Sequence, residues 1–332
     1  MANLFLRRAL SYNQFRTLHK TAIKYNAPVP ITFNMYKNQQ KFREVQAEVL
    51  NTLMSSPRFE HQLIDVEHWM TKIQAYLLTV DDIVDASQTR RGKECWYLHS
   101  DVGLGAVNDC GLLLTCAVEV MDLYFGKEPI FSDLIKTTNR MLLQTSIGQY
   151  LDCSSGYSKE KNNLDKFTME LFNSIAYQKT GIYSFKFPML LALTLVKDGK
   201  NKYSEEAQKI AWDLGRLLQF QNDYKDVFVD DMNTGKVGTD IQEGKLTWFA
   251  VTALQRCTEE QRSIFKENYG SDNPEQVKRI KQLFDELEME KVYKESESEL
   301  YDDLVRRIKA LPTKGETQFY LEILEACCKH LY

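Results

Sequence analysis

The sequence predicts an all-α domain, and three observations carry that expectation. Breakers are scarce: 332 residues hold Gly 15 and Pro 7, too few for the many tight turns of a β-sandwich. From Gln40 onward apolar residues recur at helical spacing, and no strand run stands out. Helix-start signals recur as well. Ser204 precedes a periodic segment, Thr258-Glu-Glu-Gln261 is a capping-box pattern, and Asn273-Pro274 is an N-cap followed by proline at the first helical position.

Each element follows from its local pattern. Residues 1–24 contain Arg7, Arg8, Arg16, Lys20 and Lys24 among Leu, Phe and Ser, and no acid precedes Glu44. This is the composition of a mitochondrial transit peptide; a basic helix packed on the domain is the alternative. Lys41–Leu53 carries a stripe of Phe42, Val45, Val49 and Leu50. Val66–Val84 is a long apolar helix that ends in acids, and Val107–Tyr124 is apolar enough to be central. Ser132–Leu151 and Leu164–Leu195 are the next helices, with a loop over Cys153–Asn163 between them. A second loop, Lys197–Ser204, leads to a helix reaching Val229, and Asp230–Lys245 reads as a functional loop rich in Gly, Asp, Asn and Thr. With no internal repeat and no Pro/Ser-rich linker, residues 25–332 form one helical domain.

Composition narrows the function. A net charge of −4 argues against a nucleic-acid-binding surface. The longest apolar stretch, Phe187–Val196, is too short for a bilayer, which needs about 20 residues. Seven scattered cysteines without a CxxC pair fit reduced thiols inside a cell, in mitochondria or otherwise the cytoplasm. Five scattered histidines do not make a zinc site.

Two acidic clusters on helices point to chemistry. In Asp81-Asp82-Ile83-Val84-Asp85, Asp81 and Asp85 share a face, with Asp82 turned about 100° away. Like charges at this spacing destabilise a bare helix, so a cation is expected to offset them. Carboxylates without His or Cys favour a hard ion, most naturally Mg²⁺. Asn222, Asp226 and Asp230 recur every four residues and would offer oxygens from one face of a second helix. Taken singly, either cluster reads more readily as a solvated acidic helix face.

The stretches DDIVDASQTRRGKECWY (Asp81–Tyr97), KTGIYSF (Lys179–Phe185), FQNDYKDVF (Phe220–Phe228) and GKVGTDIQEGKLTW (Gly235–Trp248) resemble trans-isoprenyl diphosphate synthases of the farnesyl diphosphate synthase type. The resemblance implies an isoprenoid-synthase bundle of helices around a deep apolar cavity. It implies a Mg²⁺ site at Asp81, Asp85, Asn222 and Asp226, and diphosphate-holding cations at Arg90, Lys179, Lys236 and Lys245. Gln149 and Asp152 match a polar pair opposite the first cluster, and Thr180 matches an oxygen facing a developing allylic cation. Tyr76 and Leu77 match the cavity floor, where Leu77 in place of a ring deepens the pocket and favours a C15 substrate. A homodimer through helices such as Val107–Tyr124 is also implied.

Other residues depart from the family. Where it carries a GGKxxRG motif for the second substrate, this sequence reads FNMYKNQ (Phe33–Gln39), with Met35 and Asn38 at the Lys and Arg positions. Leu218 replaces an aromatic, the end CCKHLY lacks a basic tail, and Asn222 replaces an aspartate, while Gln74 and Arg91 remain. A diphosphate without its Lys–Arg pair loses charge-assisted hydrogen bonds of about 1.5–3 kcal/mol each. The expectation is therefore a class I terpene synthase, similar to insect enzymes derived from the family. It would ionise farnesyl diphosphate and release a sesquiterpene hydrocarbon or alcohol, as in volatile or pheromone biosynthesis. The alternatives are a farnesyl or geranyl diphosphate synthase, which condenses isopentenyl diphosphate with an allylic diphosphate, and a non-catalytic subunit of a heterodimer.

Overall fold

A computed structural model describes residues 60–156, 164–196, 204–229, 237–312 and 314–329. The basic segment 1–24, the Lys41–Leu53 helix, Phe33–Gln39, Asp230 and Lys236 lie outside the described residues.

The chain folds as helices. They are α1 (Glu60–Val84), α2 (Gly105–Phe125), α3 (Phe131–Ser155), α4 (Met169–Ile175), a π-helical segment (Ala176–Lys186), α5 (Phe187–Val196) and α6 (Glu205–Phe228). A short α7 (Asp240–Glu243) follows, then α8 (Trp248–Arg256), α9 (Glu259–Asn268), α10 (Pro274–Glu286), α11 (Met289–Lys309) and α12 (Lys314–Lys329). Strand structure among the described residues is a hairpin of β1 (Thr89–Arg90) and β2 (Lys93–Glu94). No described helix is long and apolar enough to cross a membrane.

The caps expected from the sequence form. Ser204 Oγ accepts from Ala207 N (3.0 Å), Thr258 and Gln261 make a reciprocal capping box, and Asn273 Oδ1 accepts from Glu275 N (2.9 Å) beside Pro274. One expected helix differs. Leu164–Leu195 is interrupted: a 3₁₀ turn covers Leu164–Lys166, and Thr168 caps a new start at α4. The run then widens into π geometry, with Phe187 N donating to Ile182 O, five residues back. Pro188 supplies the reason. Proline has no N–H, and in an α-helix its ring collides with the carbonyl four residues earlier. A widened turn ahead of it relieves both problems.

Three apolar clusters surround the site. Met70, Ile73, Val120, Met121, Leu134 and Phe187 join α1, α2, α3 and α5. Phe172, Phe220, Trp248, Phe249, Phe284 and Tyr293 fill the opposite half. Leu214, Leu217, Leu304, Ile308 and Tyr320 fix α11 and α12 onto α6. The π-segment packs against both α3 and α6, so it forms the wall between the halves.

Arg307 ties α11 to α6. It reaches Glu206 (2.7 Å), Asp213 (2.6 Å) and Asp303 (3.2 Å). Arg307→Met leaves those carboxylates without their shared cation and is expected to lower stability by about 1–3 kcal/mol. Arg306, exposed and paired with Asp303, is expected to cost under about 1 kcal/mol when replaced by alanine. Urea denaturation of the two variants checks the contrast.

Candidate active site

The last turn of α1 carries Asp81 and Asp82, and Asp85 follows directly on its end, its N–H bonded to Asp81 O (2.9 Å). The chain then turns sharply, and Arg91 (φ 57°) and Gly92 (φ 71°) make the tight link between β1 and β2. Positive φ at both central residues is the signature of a type I′ hairpin turn. The hairpin aims Arg90 back at the helix. Its Nη2 stands 2.8 Å from Asp81 Oδ2, and its Nε donates to Asp82 Oδ1 (2.7 Å). Asp82, turned off the shared face as expected, is a buried anchor for Arg90.

The π-segment brings Lys179 from the other side. Its Nζ donates to Asp152 Oδ2 on α3 (2.5 Å) and lies 3.0 Å from Asp81 Oδ1. Lys245 follows α7, where a turn returns its N–H to Asp240 O (3.0 Å). Its Nζ donates to Asp85 Oδ2 (2.5 Å), with Glu243 at 3.5 Å, Asp152 at 3.8 Å and Asp240 at 3.9 Å. Tyr269 OH holds Lys245 O from behind (2.6 Å). Burial alone would lower the Lys245 pKa, but Asp152, Asp240 and Asp85 carry it well above its ordinary value. Burial would raise that of Asp152, but Lys179 and Lys245 hold it below the usual carboxylate range.

These groups line one cavity of about 390 Å³, together with Tyr76, Leu77, Gln149, Thr180, Tyr183, Leu218 and Asn222. Apolar wall comes from Leu77, Leu78, Val80, Phe172, Ile175 and Leu246. Thr180 Oγ1 donates to Gln219 Oε1 on α6 (2.7 Å), which leaves the Thr180 oxygen's lone pairs for the cavity. Gln149 Nε2 lies 3.6 Å from Cys153 Sγ. Of the aromatics, Tyr183 lines the cavity, Phe220 is buried among Phe172, Trp248 and Tyr293, and Tyr150 is 70% exposed.

The second cluster is arranged differently from its sequence spacing. Asn222 lines the cavity, but Asp226, expected as a metal ligand, is turned aside. Its oxygens accept from the backbone N–H groups of Thr239 (3.1 Å) and Asp240 (3.0 Å). It thereby caps the start of α7, whose exposed amides attract a carboxylate. α6 ends at Phe228, so the expected four-residue series of oxygens does not continue along the helix. Asp223 is buried, accepting from Gln219 Nε2 (2.8 Å) and Trp248 N (2.8 Å). Burial, reinforced by Asp240, pushes its pKa well above the usual range.

Sequence reasoning missed Asp240, Gln219 and Lys225. Asp240 could have been suspected from Thr239 and Glu243, which bracket a one-turn helix and bond to each other (2.6 Å). Gln219 and Lys225 had no signal beyond lying near Asn222. As to metal, Asp81 and Asp85 offer hard oxygens from one helical face, and no three acid, His or Cys side chains converge as a cage among the described residues. That donor set fits Mg²⁺, which takes one or two carboxylates and completes its shell with substrate phosphates and water.

Residues 27–287 match the family described as Polyprenyl synthetase. The farnesyl pyrophosphate synthase of Homo sapiens is 40% identical over 239 residues, 71% of this chain and 56% of that protein. Farnesyl pyrophosphate synthase 2 of Arabidopsis thaliana is 37% identical over 243 residues, covering 73% and 70%. The matched stretch thus spans little more than half of the human protein. The T. brucei farnesyl diphosphate synthase complexed with risedronate aligns with TM-score 0.80 at 26% identity, covering 97% of this chain and 98% of that one. The all-α isoprenoid-synthase fold is thereby shown.

The same likenesses overturn the terpene synthase expectation, and with it the lyase, sesquiterpene and pheromone readings. Relatives at this identity are by name farnesyl pyrophosphate synthases. Met35 and Asn38, which lie outside the described residues, are a local departure within a chain that matches the family over residues 27–287. With residues 27–287 matched, the chain belongs to the Polyprenyl synthetase family.

Proposed function

We propose that this chain is a prenyltransferase of the farnesyl pyrophosphate synthase type. It joins isopentenyl diphosphate to an allylic diphosphate in a Mg²⁺-dependent condensation. The observation that carries the proposal is the alternating row of Arg90, Asp81, Lys179, Asp152, Lys245 and Asp85 at a cavity that continues into apolar wall.

The chemistry follows from that row. Heterolysis of the allylic C–O bond leaves a carbocation and a diphosphate anion. Arg90, Lys179 and Lys245 are fixed before substrate arrives, so they stabilise the anion without reorganising. Asp81 and Asp85 would hold Mg²⁺, which when bound supplies further charge neutralisation at the leaving group. Thr180 and Tyr183 line the same cavity and would face the carbon that becomes cationic, while Leu77, Phe172 and Ile175 would exclude water that quenches it. The isopentenyl double bond then attacks, and the resulting cation loses a proton. Gln74 and Arg91 are proposed for the second diphosphate, and Lys236 for the first.

A homodimer is proposed through α2, where Val107 and Val118, and Leu104 at its N-cap, are exposed. The deciding assay supplies Mg²⁺, geranyl diphosphate and isopentenyl diphosphate. Farnesyl diphosphate forming only when isopentenyl diphosphate is present is the expected result. Failure to elongate under saturating substrates overturns the proposal.

A further inference from the structure

Each cation of the row stands against acids of two kinds. Arg90 lies against Asp81 (2.8 Å) and Asp82 (2.7 Å), and Lys179 against Asp81 (3.0 Å) and Asp152 (2.5 Å). In both pairs one acid is a proposed Mg²⁺ ligand and the other is not. Lys245 repeats the pattern. Asp85 (2.5 Å) is the proposed ligand, and the next acid is Glu243 (3.5 Å), ahead of Asp152 (3.8 Å) and Asp240 (3.9 Å). Glu243 is itself held. Its Oε1 accepts from Thr239 Oγ1 (2.6 Å), while Oε2 is the oxygen nearer Lys245. Thr239 is fixed in turn by Asp226, which accepts from its N–H (3.1 Å). Gly244, left-handed at φ 64°, ends α7 between Glu243 and Lys245.

We propose that Glu243 is a positioning residue for Lys245, keeping its ammonium at the diphosphate site while Asp85 binds Mg²⁺. The inference rests on the prenyl diphosphate reading above. Asp85 has two claimants. Mg²⁺ takes carboxylate oxygens at about 2.0–2.1 Å, and an ion there repels an ammonium that lies against the same carboxylate. Lys245 then needs another acid or must leave the site. Asp152 gives its shorter contact to Lys179. Asp240 lines the cavity itself, where its carboxylate opposes an incoming anion. Glu243 is not among the residues that line the cavity, and its bond to Thr239 fixes the direction of its other oxygen. It can therefore hold Lys245 in place without facing the phosphates.

Calorimetric titration of the full chain with inorganic pyrophosphate, across a series of Mg²⁺ concentrations, tests the inference. Glu243→Gln is expected to raise the Mg²⁺ concentration for half-maximal pyrophosphate uptake about 10-fold, the scale of one charge-assisted contact. In a Lys245→Met background the same change should have almost no effect, because the group it acts through is gone. Thr239→Val keeps every charge and releases Glu243 Oε1, so it is expected to move the Mg²⁺ requirement the same way by about threefold. It also carries the test should Glu243→Gln or Lys245→Met fold poorly. A Glu243→Gln shift undiminished without Lys245 overturns the role of Glu243 and leaves the prenyltransferase reading standing. So does a Mg²⁺ requirement equal to wild type in Glu243→Gln or in Thr239→Val. A wild type that takes up no pyrophosphate at any Mg²⁺ concentration overturns both.

Discussion

Lys179→Met is expected to abolish the proposed prenyl transfer and to destabilise the fold by about 3–5 kcal/mol, the cost of stranding a buried charge. Asp152 is 6% exposed, and Lys179 donates to it at 2.5 Å, whereas Lys245 stands 3.8 Å away. Removing the ammonium leaves a buried carboxylate with one distant cation. Adding Asp152→Asn removes the stranded charge, so the double variant should recover most of the stability and none of the activity. The pH dependence has a definite sign. In the wild type burial opposes Lys179 and Lys245 at Asp152, and the lysines win, holding its pKa below 3.8. That contribution is present above 3.8 and is lost as pH falls through the lower folded value. Burial likewise opposes Asp152 and Asp81 at Lys179, and the acids win, raising its pKa above 10.5. Its contribution is present below 10.5 and is lost as pH rises through the folded value. The pair therefore stabilises the protein across the neutral range. In Lys179→Met burial dominates at Asp152, its pKa moves upward, and the penalty grows with pH. Urea denaturation should show a larger deficit at pH 8 than at pH 5. An equal deficit at both would mean that Asp152 is not the stranded group.

Much of the architecture was legible because its causes are local. Ser204, Thr258 and Asn273 cap the helices they precede, since a side chain reaches backbone N–H groups two or three residues on wherever the helix lies. Asp81 and Asp85 share a face and line the cavity, because helical phase is a property of the segment itself. The same rule failed at Asp226. Phase alone puts it beside Asn222, but the amides of Thr239 and Asp240 fold back and take both its oxygens, a contact that spacing does not encode. Pro188 was present in the sequence as a warning of irregular geometry, yet the Phe187–Val196 apolar run hid it. The partner of Thr180 could not be read at all, because Gln219 is brought to it by two helices crossing at close range.

That crossing makes Gly215→Ala a severely damaging methyl group. A Cβ at Gly215 on α6 would lie 2.4 Å from Gly181 Cα and 3.0 Å from Gly181 N. Both are backbone atoms, so no side chain can swing away and the helices must separate. Gln219 sits one turn beyond Gly215, and its bond to Thr180 spans the contact. α3 uses the same device: a Cβ at Gly148 would lie 2.2 Å from Lys179 N, and Asp152, one turn beyond, is the partner of Lys179. Each glycine thus permits the approach that seats a polar partner of the π-segment. Gly215→Ala is expected to cost at least the upper end of about 1–3 kcal/mol for overpacking. A displacement of 1 Å at Thr180 is expected to lower kcat by about 10²-fold. The reverse substitution sharpens the test. A Cβ at Gly181 meets Gly215 Cα and Tyr177 Cδ2 at 3.5 Å, ordinary contact distance, so Gly181→Ala should fold and turn over nearly as wild type. Paired measurements of melting temperature and kcat for the two alanine variants decide the matter, and equal tolerance of both would show that the helices are not held at this spacing.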